Sequence, residues 1–100
     1  NYGKVVDGMS WHKISYDKKN GGYGTYFLKM EPGAKSLFHK HIGFEEFLVI
    51  DGELEDADGK IFKKGDFITF FPGSTHNSST KNGCLLLVFM RGINNQINKI

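Results

Sequence analysis

Apolar residues in this chain come in short or alternating runs, broken by turn signals every six to twelve residues. That spacing predicts an all-β sandwich or barrel. The predicted strands are 10–16 (SWHKISY), 23–30 (YGTYFLKM), 36–41 (SLFHKH), 45–50, 53–57, 60–63, 67–71 (FITFF), 75–79 and 84–90 (CLLLVFM). Between them stand Asn20-Gly21-Gly22, Pro32-Gly33, Asp51-Gly52, Asp58-Gly59, Lys64-Gly65, Pro72-Gly73 and Asn82-Gly83, all turn-forming. Asp58-Gly59 reads as a two-residue hairpin turn. No helical period shows before residue 92. Beyond it, Ile93, Ile97 and Ile100 fit one or two helical turns, a final strand or a frayed end equally well. The expectation is one all-β domain over 1–100, with its core in about 9–91 and a tail at 92–100.

Composition narrows the function classes. One hundred residues supply a single core. The net charge is only +2, the lysines are scattered, and Arg91 is the sole arginine, so a nucleic-acid partner has no support. Cys84 is the single cysteine, which removes an intrachain disulfide and any cysteine-based zinc site and points to a reducing, cytoplasmic compartment. No apolar run approaches the roughly 18 residues that span a bilayer, and no signal-peptide core is visible, so no membrane partner is expected. Asn77-Ser78-Ser79 fits a glycosylation sequon but carries no weight without a secretory signal.

The candidate chemistry lies in GAKSLFHKHIGFEEFLVIDG, residues 33–52. Side chains two apart in a strand share a face, so His39 and His41 point one way with Leu37, and Lys40 the other. Gly43 permits a reversal. In the next strand Glu45, Phe47 and Val49 share one face, and Glu46, Leu48 and Ile50 the other. One glutamate must then face the core, where an isolated carboxylate costs several kcal/mol. A metal ion shared with the histidines resolves that cost. His76, after the turn at Pro72-Gly73, offers a third imidazole. Three imidazoles and one carboxylate suit a divalent first-row ion such as Fe, Mn, Ni, Cu or Zn, with positions left open for water, oxygen or a chelating ligand.

These residues resemble the cupin superfamily. Its first motif is a glycine, five residues, His-x-His, three or four residues, a glutamate, six residues and a glycine. Here Gly33, His39, His41, Glu45 and Gly52 keep every spacing, and the gap to Gly52 selects Glu45 over Glu46. In the second motif Gly65, Gly73 and His76 keep their separations, while Pro72 stands one place late and Thr80 replaces the usual asparagine. Residues 45–89 further resemble one branch, the cupins related to the ChrR anti-sigma factor and to small diketone- or acetophenone-cleaving dioxygenases. The shared features are the Glu45-Glu46 pair, the Gly52-to-Gly59 hairpin, the Pro72-to-His76 turn and Gly83-Cys84.

The resemblance implies a cupin-type double-stranded β-helix, or jelly-roll barrel, with His39, His41, Glu45 and His76 as ligands of one divalent metal (Fe, Zn, Ni or Mn) and Glu45 doubling as the catalytic base. It implies either a mononuclear-metal dioxygenase-like enzyme acting on a small chelating diketone or hydroxyketone, or a non-catalytic ligand-sensing module like the cupin domain of ChrR-type anti-sigma factors. The His-x3-Cys-x2-Cys signature of the anti-sigma zinc region is missing. A structural or sugar-binding cupin is a weaker third reading.

The remaining residues have plainer assignments. Tyr26, Leu28, Met30, Phe38, Phe47 and Phe70 are read as inner-face residues that line a pocket for a small-molecule ligand. Glu46 reads as solvent-facing, His12 as a surface histidine near the first strand, and Cys84 as a small buried hydrophobe. Asp56-Ala57-Asp58-Gly59 resembles a calcium loop only superficially, since its glycine is misplaced and the final acidic ligand is missing. Phe27, Phe44 and Phe62 look exposed, which predicts a homodimer.

Overall fold

Among the described residues the chain forms ten strands and no helix. The computed structural model describes residues 8–17, 23–36, 39–41, 43–73, 75–91 and 94–96, and the side chains of these except at 39–41, 75–76 and 94–96. The strands are β1 (Met9–Lys13), β2 (Tyr23–Met30), β3 (His39–His41), β4 (Phe44–Asp56), β5 (Ile61–Lys63), β6 (Phe67–Phe70), β7 (Thr75–His76), β8 (Ser78–Ser79), β9 (Cys84–Arg91) and β10 (Asn94–Gln96). All pairings are antiparallel. The larger sheet runs β1-β2-β9-β4-β5, with β6 and β8 also on β4, and a smaller sheet runs β10-β3-β7.

The core follows from alternation. On β9, Cys84, Leu86, Val88 and Met90 are buried; on β2, Tyr26, Leu28 and Met30 are buried. Phe47 and Val49 of β4 face them, with Phe62 set edge-on to Phe47 at 6.0 Å and Phe70 tilted against it at 5.9 Å. Each fully buried side chain of this kind contributes about 1.5–3 kcal/mol, so this inner face dominates stability. Tyr16 joins the core through an edge-on contact with Tyr26 at 5.5 Å, although it lies past the end of β1.

β4 departs from the expected pattern. Residues 45–50 and 53–57 are not two strands with a turn at Asp51-Gly52; residues 44–56 form one strand. The register shifts between Val49 and Asp51, where two steps on β4 match one on β9, so Ile50 is an extra residue in a bulge. The bulge moves the inward position from odd to even residues: Glu45, Phe47 and Val49 are buried before it and Leu54 after it. Gly52 makes the bend, with φ of 80°. A Cβ there would lie 2.1 Å from the Gly83 carbonyl oxygen and 2.7 Å from Cys84 Cα. Two glycine-flanked apolar runs look alike in sequence whether a turn or a bulge joins them.

Smaller corrections have local causes. The hairpin after β4 has a three-residue loop, Ala57–Gly59, closed by Gly59 N–H donating to Asp56 O (2.9 Å) and Asp56 N–H donating to Lys60 O (2.8 Å), with Gly59 at φ 88°. The predicted 75–79 strand is two short ones, and the first strand ends at Lys13. Residues 94–96 settle the tail's open alternatives there in favour of a strand, while Ile93, Ile97 and Ile100 lie outside the described residues. Phe62 is buried, and Phe27 and Phe44 are half-buried; among the described residues the exposed large apolar ones are Ile14, Tyr23, Ile61, Phe67 and Phe71.

Gly52→Ala is expected to lower the unfolding free energy by on the order of 3 kcal/mol, since the new Cβ meets backbone. Gly33→Ala shares the positive φ but meets nothing within 4 Å, so it should cost nearer ~1 kcal/mol. Urea denaturation of the two variants separates close approach from backbone strain.

Candidate functional site

Three connections carry the chain from the same end of the larger sheet into the smaller one. β4 begins at Phe44 shortly after β3 ends at His41; β6 ends at Phe70 shortly before β7; β9 ends at Arg91 shortly before β10. These ends are neighbours, because Phe44 pairs with Arg91, and Glu45 with both Met90 and Phe70. Their continuations are neighbours as well: His41 pairs with Asn94, and His39 with both Gln96 and His76. Directly opposed residues and residues two apart share a face in an antiparallel sheet, so positions 39, 41 and 76 lie on one face of the smaller sheet. The side chains of His39, His41 and His76 are outside the described residues, as is Phe38 altogether.

Glu45 is the described member of the predicted set. It stands on the inner face of β4, 8% exposed, in line with Phe47 and Val49. Its Oε1 is fully enclosed and accepts no hydrogen bond among the described residues, although the residue does interact elsewhere. Glu46 faces the other way. Its Oε1 accepts from the Arg91 guanidinium at 2.6 Å, its Oε2 from the Thr69 hydroxyl at 3.2 Å, and Arg91 lies 5.7 Å from the centre of the Phe44 ring. The two adjacent carboxylates therefore differ in face, and Glu46 is bound into a surface cluster instead of being simply solvated.

Of the predicted pocket residues, Tyr26, Leu28, Met30 and Phe47 are buried and Phe70 packs against them. They take core positions on the inner face, and a depression of about 410 Å³ lies on the outer face of the sheet, beside Glu46, Phe67 and Arg91. His12 is exposed on β1, 6.4 Å from the Phe27 ring. Three contributors escaped sequence reasoning. Asn94 and Gln96 share the face of positions 41 and 39, and only their alternation in a segment of uncertain type could have shown it. Thr80, standing where the motif has asparagine, is buried and donates from Oγ1 to the Glu53 carbonyl oxygen at 2.6 Å, fixing the end of β8 to β4.

Cys84 is buried beside Thr80. Burial pushes its thiol up to about 11, with the Thr80 hydroxyl offsetting part of that effect. The thiolate is the reactive form, so this geometry makes Cys84 inert at neutral pH.

The fold and these positions define a cupin-like β-barrel. Residues 1–94 match the model of the ChrR Cupin-like domain, and the chain belongs to that family. A comparison with curated proteins gave no match. Among solved structures, a Ralstonia eutropha protein of unknown function with a cupin-like fold superposes with a TM-score of 0.83 and 19% identity, over 92% of this chain and 60% of that one. An acetylacetone dioxygenase from Acinetobacter johnsonii gives 0.79 and 17%, over 99% and 78%. The Rhodobacter sphaeroides complex of SigE with the anti-sigma ChrR gives 0.74 and 20%, over 88% of this chain and 46% of that one. At these identities the likeness is one of fold, and this chain spans only part of the proteins it resembles.

The raised thiol sets the sign of a pH effect. A group with a folded pKa above its unfolded value supports folding below the unfolded pKa, and the support is lost as pH rises through the folded one. Stability should therefore fall between about pH 9 and 11 through Cys84, and Cys84→Ser should flatten that decline in urea titrations. Native protein at pH 7 should react with a disulfide reagent only as fast as it unfolds.

Proposed function

We propose that this chain is a metal-dependent cupin that takes a small chelating ligand, with His39, His41, Glu45 and His76 as donors to one divalent ion (Fe, Zn, Ni or Mn). The observation that carries this reading is the buried, inward Glu45 at the end of the sheet where the register puts positions 39, 41 and 76 on one face. The donor chemistry fits: an inward carboxylate among Phe47, Val49 and Phe70 gains from a cation, and imidazoles suit first-row ions. The bound ion would act as a Lewis acid on a ligand oxygen, and iron would add the oxygen chemistry of dioxygenase-type C–C cleavage.

The chain's own residues have the remaining roles. Phe47 and Phe70 exclude water beside the carboxylate. Glu45 is the group able to accept a proton from a diketone or hydroxyketone held there. The likeness to the acetylacetone dioxygenase supports this catalytic reading. The family match and the likeness to the ChrR complex support the alternative, a ligand-sensing module without turnover. In either case two copies are expected to associate, in the cytoplasm.

Metal analysis tests the donor set. Wild-type protein should carry about one ion per chain, while His41→Ala and Glu45→Gln should each lose tenfold or more in affinity with circular dichroism unchanged. Because neutral imidazole is the ligand, occupancy should be full above roughly pH 6.5 and fall below it; full occupancy at pH 4 would count against histidine ligation. Oxygen uptake by iron-loaded protein with a panel of diketones separates the two readings. Turnover marks the enzyme, and ligand binding without turnover marks the sensor.

A further inference from the structure

A side-chain amide standing before glycine is open to attack by the glycine's own backbone nitrogen, because no Cβ shields that nitrogen and the backbone turns freely. Ring closure needs an exposed side chain, a following N–H that is not already engaged, and a segment outside the strand ladder. The turn pairs of this chain differ in these respects. Asn77 is half-buried, and the nitrogen that would attack it, Ser78 N, donates to Ser36 Oγ at 2.7 Å. In Asp58-Gly59, where a carboxyl replaces the amide, the Gly59 N–H donates to Asp56 O at 2.9 Å and Asp58 Oδ1 accepts from the Lys60 N–H at 3.0 Å. Asp51-Gly52 lies inside β4, paired with Leu85 and Cys84. Asn20-Gly21 lies outside the described residues. Asn82-Gly83 meets all three conditions. Asn82 is exposed in the bend before β9, Gly83 has φ of 92°, and its N–H donates to nothing among the described residues.

We propose that Asn82 is a site of spontaneous deamidation, and that its isoaspartate product loosens the junction between β4 and β9. The proposal is independent of the metal reading. Gly83 N attacks Asn82 Cγ; the N–Cγ bond forms, the Cγ–Nδ2 bond breaks, and Nδ2 leaves as ammonia with the proton that Gly83 N gives up. Water then adds to one of the two carbonyls of the resulting succinimide. Opening at Cγ leaves aspartate, while opening at the main-chain carbonyl leaves isoaspartate, whose backbone runs through the former side chain and is one methylene longer. The two products meet different constraints. Aspartate changes only the charge of an exposed side chain. Isoaspartate pushes on Gly83, which has no slack. The Gly83 carbonyl oxygen accepts from the Glu53 N–H at 3.4 Å and stands 2.1 Å from where a Cβ on Gly52 would lie. On its other side, a Cβ on Gly83 would meet Met30 O at 3.2 Å and Pro32 Cδ at 3.3 Å. The added methylene therefore acts at the same close approach that sets the bend of β4.

Peptide mapping of the full chain, aged folded and aged in urea, tests the site. Cleavage after lysine and arginine isolates 82–91, whose one amide side chain is Asn82, and 65–81, whose one amide side chain is Asn77. In the folded chain Asn82 should convert within about threefold of its rate in urea, because the fold leaves the site open. Asn77 should be slowed about tenfold or more by the fold. Asn82→Gln should remove the mass gain from 82–91, since the longer side chain closes a five-membered ring no longer. Suppression of Asn82 by more than threefold in the folded chain would overturn the site. Ion exchange then separates the aged forms for urea denaturation. The isoaspartate form should show an unfolding constant about tenfold larger than the unaged chain, and Asn82→Asp, which stands for the other product, should match the unaged chain. An isoaspartate form as stable as Asn82→Asp would overturn the link to the β4–β9 junction.

Discussion

The whole architecture depends on one strand meeting hydrogen-bonding partners along both edges while it bends. The first half of β4 lies between β9 and β6, and its second half between β5 and β8. A straight strand cannot serve both sets, and a broken one would leave buried peptide groups unpaired at a cost of about 1–3 kcal/mol each. The Ile50 bulge and the Gly52 bend keep the ladder going, because Gly52 brings β4 against the Gly83 backbone more closely than any side chain allows. The same bulge reverses which residues face inward, so Leu54 and Phe62 fill the far end of the core as Phe47 and Val49 fill the near end.

Most strands were legible because alternation is a strong local signal. β2 and β9 occupy the residues their apolar spacing predicts, give or take one at an end. What the sequence concealed were features decided by contacts distant along the chain. Nothing in DGELED distinguishes a bulge from a turn; the approach of Gly83 makes that choice. Tyr16 is core because Tyr26 meets it, not because of its neighbours in sequence. Phe62 reads as exposed in a short Lys-flanked segment, yet it closes on Phe47 across the barrel.

The choice between two adjacent glutamates shows both the reach and the limit of such reading. Alternation requires that one face in, and it does not say which. The spacing to Gly52 selects Glu45, and the burial of Glu45 beside Phe47 agrees about its face. Glu46, its outward neighbour, is held by Arg91 and Thr69, which come from β9 and β6. No local pattern could reveal that cluster, since its members lie 23 and 45 residues away.

The smaller sheet has a consequence of its own. Strands of three, three and two residues are too short to persist alone, so its form is borrowed from the larger sheet through three short covalent links. Links this short, acting in parallel, confine one group of positions near another and raise their mutual effective concentration. Glu45 and positions 39, 41 and 76 are thereby held at one end of the fold, with most of their ordering entropy lost during folding. Lengthening any of the three links by a few residues would dilute that arrangement without altering any residue at those positions.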